Sequence, residues 1–146
     1  MKRGFTLIEI IVVIIIVGIL AAVGLTQYSL IVEKGRTTEA KVRIGAMRQL
    51  AYEYYLNNGT LSGITNAVLG TDNTCTSSDF YKYNANWTGS TYVGLLATRC
   101  TSNGKTPNAS RQYYYYFWYY PGTGQGTWYC KYVDDSSSCF GLPTGP

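Results

Sequence analysis

The chain has 146 residues, a length that suits one domain, or one domain with an appended element. Its net charge of +4 comes from 12 basic and 8 acidic residues, which is too mild a balance to indicate nucleic-acid binding by itself. It contains no histidine, so the commonest general base and the commonest metal ligand are missing. With no converging nucleophile and base, we expect a protein that is not an enzyme and needs no cofactor.

The start of the chain is dominated by one apolar run. Lys2 and Arg3 precede it, and Phe5–Leu25 is apolar apart from Thr6 and Glu9. A helix over this range would be about 31 Å long, which matches a bilayer hydrocarbon core of about 30 Å. We therefore predict a membrane-spanning helix, with a cleaved secretory signal peptide as the alternative.

An amphipathic segment follows the apolar run. Apolar residues recur at helical spacing along one face, and the sequence NNG at 57–59 is a typical helix stop. The face is formed by Ala40, Ile44, Met47, Ala51 and Tyr54. The pattern predicts one long helix whose first half suits lipid and whose second half packs against another apolar surface.

The composition changes after Gly59. Residues 60–111 are rich in Thr, Ser, Asn and Gly, and are predicted to form a long connection with one short helix and short strands. Two β-prone runs, at 112–120 and 127–133, then flank a turn rich in Pro and Gly, which indicates a hairpin. A small antiparallel sheet packed on the amphipathic half of the helix would bury both apolar faces, giving an α+β fold.

Four cysteines lie in the second half of the chain: Cys75, Cys100, Cys130 and Cys139. An even number in a small chain with an export-like N terminus indicates disulfide bonds, and the lack of a Cys-x-x-Cys pair disfavours zinc. Of the possible pairings we favour Cys75–Cys100 with Cys130–Cys139, because both bonds close local loops. Chain entropy would make each worth roughly 2.5–3.5 kcal/mol.

The N-terminal residues also carry a specific motif. The sequence GFTLIE follows a basic residue and precedes the apolar run, with ILAA, Tyr28 and YYLNNGT further on. Over Lys2–Gly59 this pattern resembles the type IV pilins and type II secretion pseudopilins, which carry a class III signal peptide, and is most like a type IV major pilin. Members of this superfamily often have a helix-disrupting proline just after ILAA, where this chain has Thr26.

The resemblance implies a type IV pilin fold, in which the apolar half of the long helix protrudes and its C-terminal half packs on the sheet. It divides the chain into a leader at 1–4, an apolar transmembrane and filament-core helix at 5–27, and a globular head at 28–146. The head would contain the amphipathic half of the helix, a variable loop, the hairpin and a disulfide-bounded C-terminal loop. By the same resemblance, a prepilin peptidase would cleave between Gly4 and Phe5 and methylate the new Phe5 amine.

The function that the resemblance implies is structural. Subunits would leave the inner membrane and stack their helices into an extracellular pilus used for adhesion, twitching motility or DNA uptake. The implied partners are further copies of the chain in a helical filament, the prepilin peptidase, and the assembly platform with its ATPases. DNA or a host surface would be external partners. A minor pilin or a type II secretion pseudopilin is the alternative.

Glu9 is the one acid within the apolar run. An ionised acid at the bilayer centre costs about 2.5–3.5 kcal/mol, and Glu9 lies nearer an end of the span. In a water-poor bundle of helices its carboxylate needs a cation, and cleavage creates one at the Phe5 amine. We therefore expect Glu9 of one subunit to form an assembly charge pair with Phe5 of another. The alternative is a carboxylate satisfied within its own chain.

Two further stretches are candidates for binding. The aromatic run YYYYFWYY at 113–120 is expected to form a strand with one face on the helix. Its candidate aromatic surface consists of Tyr113, Tyr115, Phe117 and Tyr119. Asp134 and Asp135, which precede three serines, are a candidate calcium site, because calcium prefers oxygen ligands. No other metal site is expected.

Overall fold

The computed structural model describes residues 5–108 and 111–145. The expected leader at 1–4, including Gly4, lies outside the described residues. The chain divides into two compact units, Met1–Gly35 and Arg36–Pro146. In the described ranges the elements are helix α1 (Leu7–Asn58) and strands β1 (Tyr81–Asn86), β2 (Val93–Arg99), β3 (Tyr113–Tyr120) and β4 (Gln125–Tyr132).

Helix α1 is continuous from Leu7 to Asn58, and its backbone remains helical through Gly24 and Thr26. The helix ends where the sequence predicts. Gly59 has a φ of 69°, a left-handed conformation that glycine adopts without steric cost, and its N–H donates to the carbonyl of Tyr55 at 2.8 Å. The helix stop at 57–59 is therefore confirmed.

The unit Met1–Gly35 presents an apolar surface. Every large apolar side chain from Phe5 to Leu25 is exposed. Helix α1 contains a stretch with a mean hydropathy of 3.1, so by length and composition it is able to cross a membrane. A surface this apolar needs a cover of lipid or protein.

The unit Arg36–Pro146 is built around a sheet in the order β1-β2-β3-β4, with every neighbouring pair antiparallel. The predicted hairpin is present: β3 and β4 pair from Tyr113↔Tyr132 to Tyr120↔Gln125. The predicted short helix in 60–111 is wrong for the described residues of that range, which contain β1, β2 and turns. Gly63 and Gly70 have φ of 84° and 64°, and these left-handed conformations are incompatible with a continuous right-handed helix there.

The core of this unit lies between α1 and one face of the sheet. Of the predicted helix face, Ala40, Ile44, Met47 and Ala51 are fully inaccessible, and Tyr54 is half-buried. It packs in one cluster with side chains from all four strands. Glu39 adds a polar attachment, since its Oε1 accepts hydrogen bonds from the Phe80 N–H at 3.0 Å and the Tyr83 hydroxyl at 3.2 Å. The α+β arrangement, with the C-terminal half of the helix on an antiparallel sheet, is confirmed.

Some outward-facing N–H groups of the two outer strands are hydrogen-bonded to other parts of the chain. On β1, the Ala85 N–H donates to Oδ1 of Asn66 at 2.8 Å. On β4, the Cys130 N–H donates to the carbonyl of Pro143 and the Tyr132 N–H to that of Ser137, both at 2.9 Å. The C-terminal segment therefore lies along the outer edge of β4.

Candidate functional site

The start of α1 is held by a reciprocal cap between Thr6 and Glu9. The Thr6 N–H and hydroxyl donate to Oε2 of Glu9 at 2.7 Å and 2.6 Å, and the Glu9 N–H donates back to Oγ1 of Thr6 at 3.4 Å. This is a capping box, in which two otherwise unpaired N–H groups of the first turn are satisfied by side chains. The Thr-x-x-Glu spacing is the sequence signal that predicts it, and our reasoning about charge alone missed it.

The cap gives Glu9 partners within its own chain while leaving part of its carboxylate available. Both side-chain hydrogen bonds go to Oε2, and Oε1 has none with the described residues. An ionised carboxylate accepts about four hydrogen bonds. Phe5, immediately before the cap, is 84% exposed. The pairing of Glu9 with the Phe5 amine of another copy remains a prediction.

The candidate aromatic surface on β3 is wrong. Tyr113, Tyr115, Phe117 and Tyr119 belong to the core, and none is more than 7% exposed. The reason is the two-residue period of a strand: these alternate side chains all fall on the face that packs against α1. The opposite face carries the even-numbered members of the run.

On that opposite face, partly buried and exposed aromatic rings from two parts of the chain lie close together. The ring of Trp118 lies 5.2 Å from that of Tyr92 and 5.9 Å from that of Trp87, measured between centroids. Trp87 and Tyr120 are 40% and 42% exposed. Trp87 and Tyr92 flank the connection between β1 and β2, so their nearness to β3 depends on strand pairing that no local pattern predicts.

The four cysteines form the disulfide bonds Cys75–Cys100 and Cys130–Cys139, with Cα atoms 5.9 Å and 5.2 Å apart. The first bond joins the connection before β1 to the end of β2. The second joins β4 to the C-terminal segment that covers its edge.

The two aspartates in the Cys130–Cys139 loop are paired with a guanidinium. Nε of Arg111 lies 3.1 Å from Oδ2 of Asp134, and its NH2 nitrogen lies 2.6 Å from Oδ2 of Asp135. The same guanidinium lies over the ring of Tyr132, 3.4 Å from its centroid. Hydrogen bonds from Ser137, reinforced by the Arg111 charge, lower the pKa of Asp135.

This pairing corrects the calcium expectation for Asp134 and Asp135. The guanidinium of Arg111 already pairs with both carboxylates and neutralises about half of their charge, and two carboxylates supply few of the six to eight or so oxygens that calcium takes. Within residues 5–108 and 111–145, no group of three or more His, Cys, Asp or Glu residues could hold a metal ion.

Comparison with known proteins finds similarity at the N-terminal end. Residues 1–25 match the family model of the prokaryotic N-terminal methylation motif. A fimbrial protein of Neisseria meningitidis is 43% identical over 63 residues, which are 43% of this chain and 37% of that protein. The type IV major pilin protein PilE1 of Neisseria gonorrhoeae is 44% identical over 59 residues, 40% of this chain and 36% of the relative.

A probable minor fimbrial protein of Dichelobacter nodosus is also 44% identical, over 58 residues, again 40% of this chain and 36% of the relative. The chain thus matches little more than a third of the length of these curated relatives. No solved structure matches the chain. The methylation motif and these relatives show that the N-terminal region of this chain is similar to that of type IV pilins and fimbrial proteins.

Proposed function

We propose that this chain is a structural subunit of a type IV pilus and acts by assembly rather than catalysis. The observation that carries the proposal is the exposed apolar surface from Phe5 to Leu25, which lies within the part of the chain that matches the N-terminal methylation motif. Such a surface is unstable in water, and it suits two environments in succession. One is the inner membrane before assembly, and the other is a bundle of identical helices inside an extracellular filament.

Processing and transport would come from partners. A prepilin peptidase would cleave between Gly4 and Phe5 and methylate the Phe5 amine, and an assembly platform with its ATPases would move the subunit into the filament. Adhesion, twitching motility and DNA uptake are the roles proposed for the finished filament. The unit Arg36–Pro146 would then supply its outer surface.

The capping box favours a specific role for Glu9 in that assembly. Its Oε2 is engaged by Thr6, while Oε1 is without a hydrogen bond in the described part of the chain. The carboxylate can therefore keep its cap and accept the Phe5 amine of a neighbouring copy. A charge-assisted hydrogen bond of this kind is worth about 1.5–3 kcal/mol, which repays part of the cost of an acid among apolar helices.

A substitution at Glu9 separates the cap from the charge. Glutamine at this position still forms a capping box but carries no charge. Glu9→Gln should leave membrane insertion and cleavage intact and sharply reduce the yield of sheared surface filaments. Glu9→Ala, which removes cap and charge together, should be no less defective. Normal filament yield from Glu9→Gln would refute the charge pair.

The subunit role itself is tested by the N terminus of the mature protein and by the filament. N-terminal sequencing should find N-methylated Phe5, and a start at Met1 or near Ala22 would contradict the proposal. Electron microscopy and mass spectrometry of sheared filaments should find this chain as the dominant subunit. A minor pilin is the second candidate, supported by the similarity to a probable minor fimbrial protein, and a type II secretion pseudopilin is a further alternative. A low share of the filament mass would favour these.

A further inference from the structure

A polar cavity of about 360 Å³ lies beside the Cys75–Cys100 disulfide bond. It is formed by part of the connection before β1, by β1 itself, by the loop that follows β2 and by the residue before β3. Its lining includes Asn73, Lys82, Thr101, Ser102, Asn103 and Gln112. These described lining residues supply amides, hydroxyls and one ammonium group, and no carboxylate.

The cavity wall is held rigidly by the disulfide bond and by the backbone. A Cβ on Gly104 would lie 2.4 Å from Cβ of Cys100. Only glycine at this position therefore lets the loop after β2 approach the disulfide bond so closely. The Lys105 N–H then donates to the carbonyl of Asp79 at 2.8 Å, which ties this loop to the connection before β1.

A buried arginine holds the far end of the same loop. Arg99 donates to the carbonyl of Thr106 at 2.7 Å and to that of Phe80 at 2.9 Å. Thr106 has a φ of 43°, an uncommon conformation for a β-branched residue. The hydrogen bond from the Arg99 guanidinium is made to the carbonyl of this same residue. The lining residues Thr101, Ser102 and Asn103 are therefore carried on a loop that is fixed at both ends, which favours binding without an ordering cost.

The cavity has a positive charge that is not neutralised within it. Lys82 is half-buried, and its ammonium makes no hydrogen bond or ion pair with the described residues. The carboxylate nearest in sequence to the lining, that of Asp72, is engaged by the hydroxyl of Thr74 at 2.7 Å. Asn73 and Asn103 both adopt left-handed backbone conformations, with φ of 56° and 57°, which asparagine tolerates better than most residues.

We propose that this cavity binds a sugar unit that carries one carboxylate, such as a uronic acid. The single ammonium of Lys82 balances one negative charge. The amides of Asn73 and Asn103 both donate and accept hydrogen bonds, which matches the paired hydroxyls of a sugar ring. The volume is near the lower limit of ligand pockets, which run from about 300 to 1,000 Å³, so it suits a single ring. The inference does not depend on the filament role.

Isothermal titration calorimetry on the full-length chain in detergent tests the proposal with three probes: sodium glucuronate, glucose and inorganic phosphate. Glucuronate should bind saturably, and both glucose and phosphate should bind more weakly. Lys82→Met should weaken glucuronate binding by about tenfold or more, the effect of losing one charge-assisted hydrogen bond.

Lys131→Met is the matched control. Lys131 lies on the same face of the sheet, in the row Lys82↔Thr98↔Tyr114↔Lys131, but on the opposite outer strand. It removes the same charge and should leave binding unchanged. Asn103→Gly keeps the left-handed backbone, removes one amide and should weaken binding several-fold. Near-ultraviolet circular dichroism shows that each variant is folded.

Four results would overturn the inference. They are no saturable binding of glucuronate, equal binding of glucose, equal binding of phosphate, and equal losses from Lys82→Met and Lys131→Met. The second would mean that the carboxylate is not recognised, and the third that the cavity is a site for simple anions.

Discussion

Replacing Arg99 with methionine should loosen the loop at 100–108 and destabilise the unit Arg36–Pro146. Arg99 is a fully buried cation at the end of β2. Its guanidinium donates to the carbonyls of Phe80 at 2.9 Å, Cys100 at 3.3 Å and Thr106 at 2.7 Å. Methionine is also a long side chain, but it carries neither the charge nor the donors, so the change in stability measures what these bonds contribute.

The size of the effect depends on which carbonyls keep another donor. The carbonyl of Phe80 also accepts the Cys100 N–H at 3.0 Å, and that of Cys100 accepts the Asn108 N–H at 2.9 Å. The carbonyl of Thr106 has no second hydrogen bond among the described residues, so losing its donor costs about 1–3 kcal/mol. Losing the guanidinium from beside the Phe80 and Tyr81 rings adds about 1 kcal/mol. A total of about 3 kcal/mol should lower the melting temperature by roughly 10 °C.

Thermal melting followed by near-ultraviolet circular dichroism measures the stability of the full chain in detergent, and hydrogen exchange with mass spectrometry reports on the loop. Arg99→Lys keeps the charge but loses the planar fork of donors, so it should melt between the wild type and Arg99→Met. Arg48→Met, at an exposed arginine of α1, is the control and should change stability by no more than about 0.5 kcal/mol.

The reasoning would be refuted by an Arg99→Met variant that melts within about 2 °C of the wild type with unchanged exchange in the loop. That result would mean that water or a rearranged backbone satisfies the carbonyl of Thr106. A large drop in melting temperature without faster exchange at 100–108 would equally contradict the assignment of the effect to this loop.

Two further changes test the packing of the sheet and the C-terminal loop. Gly126→Ala should destabilise the fold by about 1–3 kcal/mol in urea denaturation, because the added Cβ would lie 2.1 Å from Cζ of the buried Phe117. A Gly126→Ala/Phe117→Leu double variant should recover part of that loss, and simple additivity would argue against the clash. Acid should loosen the Cys130–Cys139 loop, since the pKa of Asp135 is lowered from its ordinary value of 3.8 by Ser137 and Arg111. The stability that this carboxylate contributes is complete above that ordinary value and is lost as the pH falls through the lowered one. The melting temperature should therefore fall less for Asp135→Asn than for the wild type as the pH is lowered from about 5 to about 2. Identical profiles would exclude this contribution.

Local periodicity was enough to predict the main elements. The helix face of Ala40, Ile44, Met47 and Ala51 follows a 3.6-residue repeat, and the NNG stop lies beside the observed end of α1. The hairpin was predictable for a similar reason, because β-prone runs flank a turn rich in Pro and Gly. Such signals depend on neighbours in sequence and need no knowledge of the rest of the fold.

The errors have a different origin. In YYYYFWYY both sets of alternate positions are aromatic, so the sequence does not indicate which set meets the helix, and the surface was assigned to the buried set. The pairing of Arg111 with Asp134 joins residues 23 positions apart, and it follows from the packing of the C-terminal loop rather than from any local pattern. Long-range pairing also brings Trp87 to Trp118.

The partly closed edges of the sheet bear on how copies of this protein can stand side by side. An open edge strand offers unpaired N–H and C=O groups to strands of neighbouring molecules, and this is a common start of aggregation. Asn66 occupies one such group on β1, and the C-terminal segment occupies those at Cys130 and Tyr132 on β4. Crowded copies therefore have less free backbone through which to extend one sheet into the next. Contacts between copies then depend more on side chains. Substitutions can change these side chains without breaking the backbone hydrogen bonds that hold the strands together.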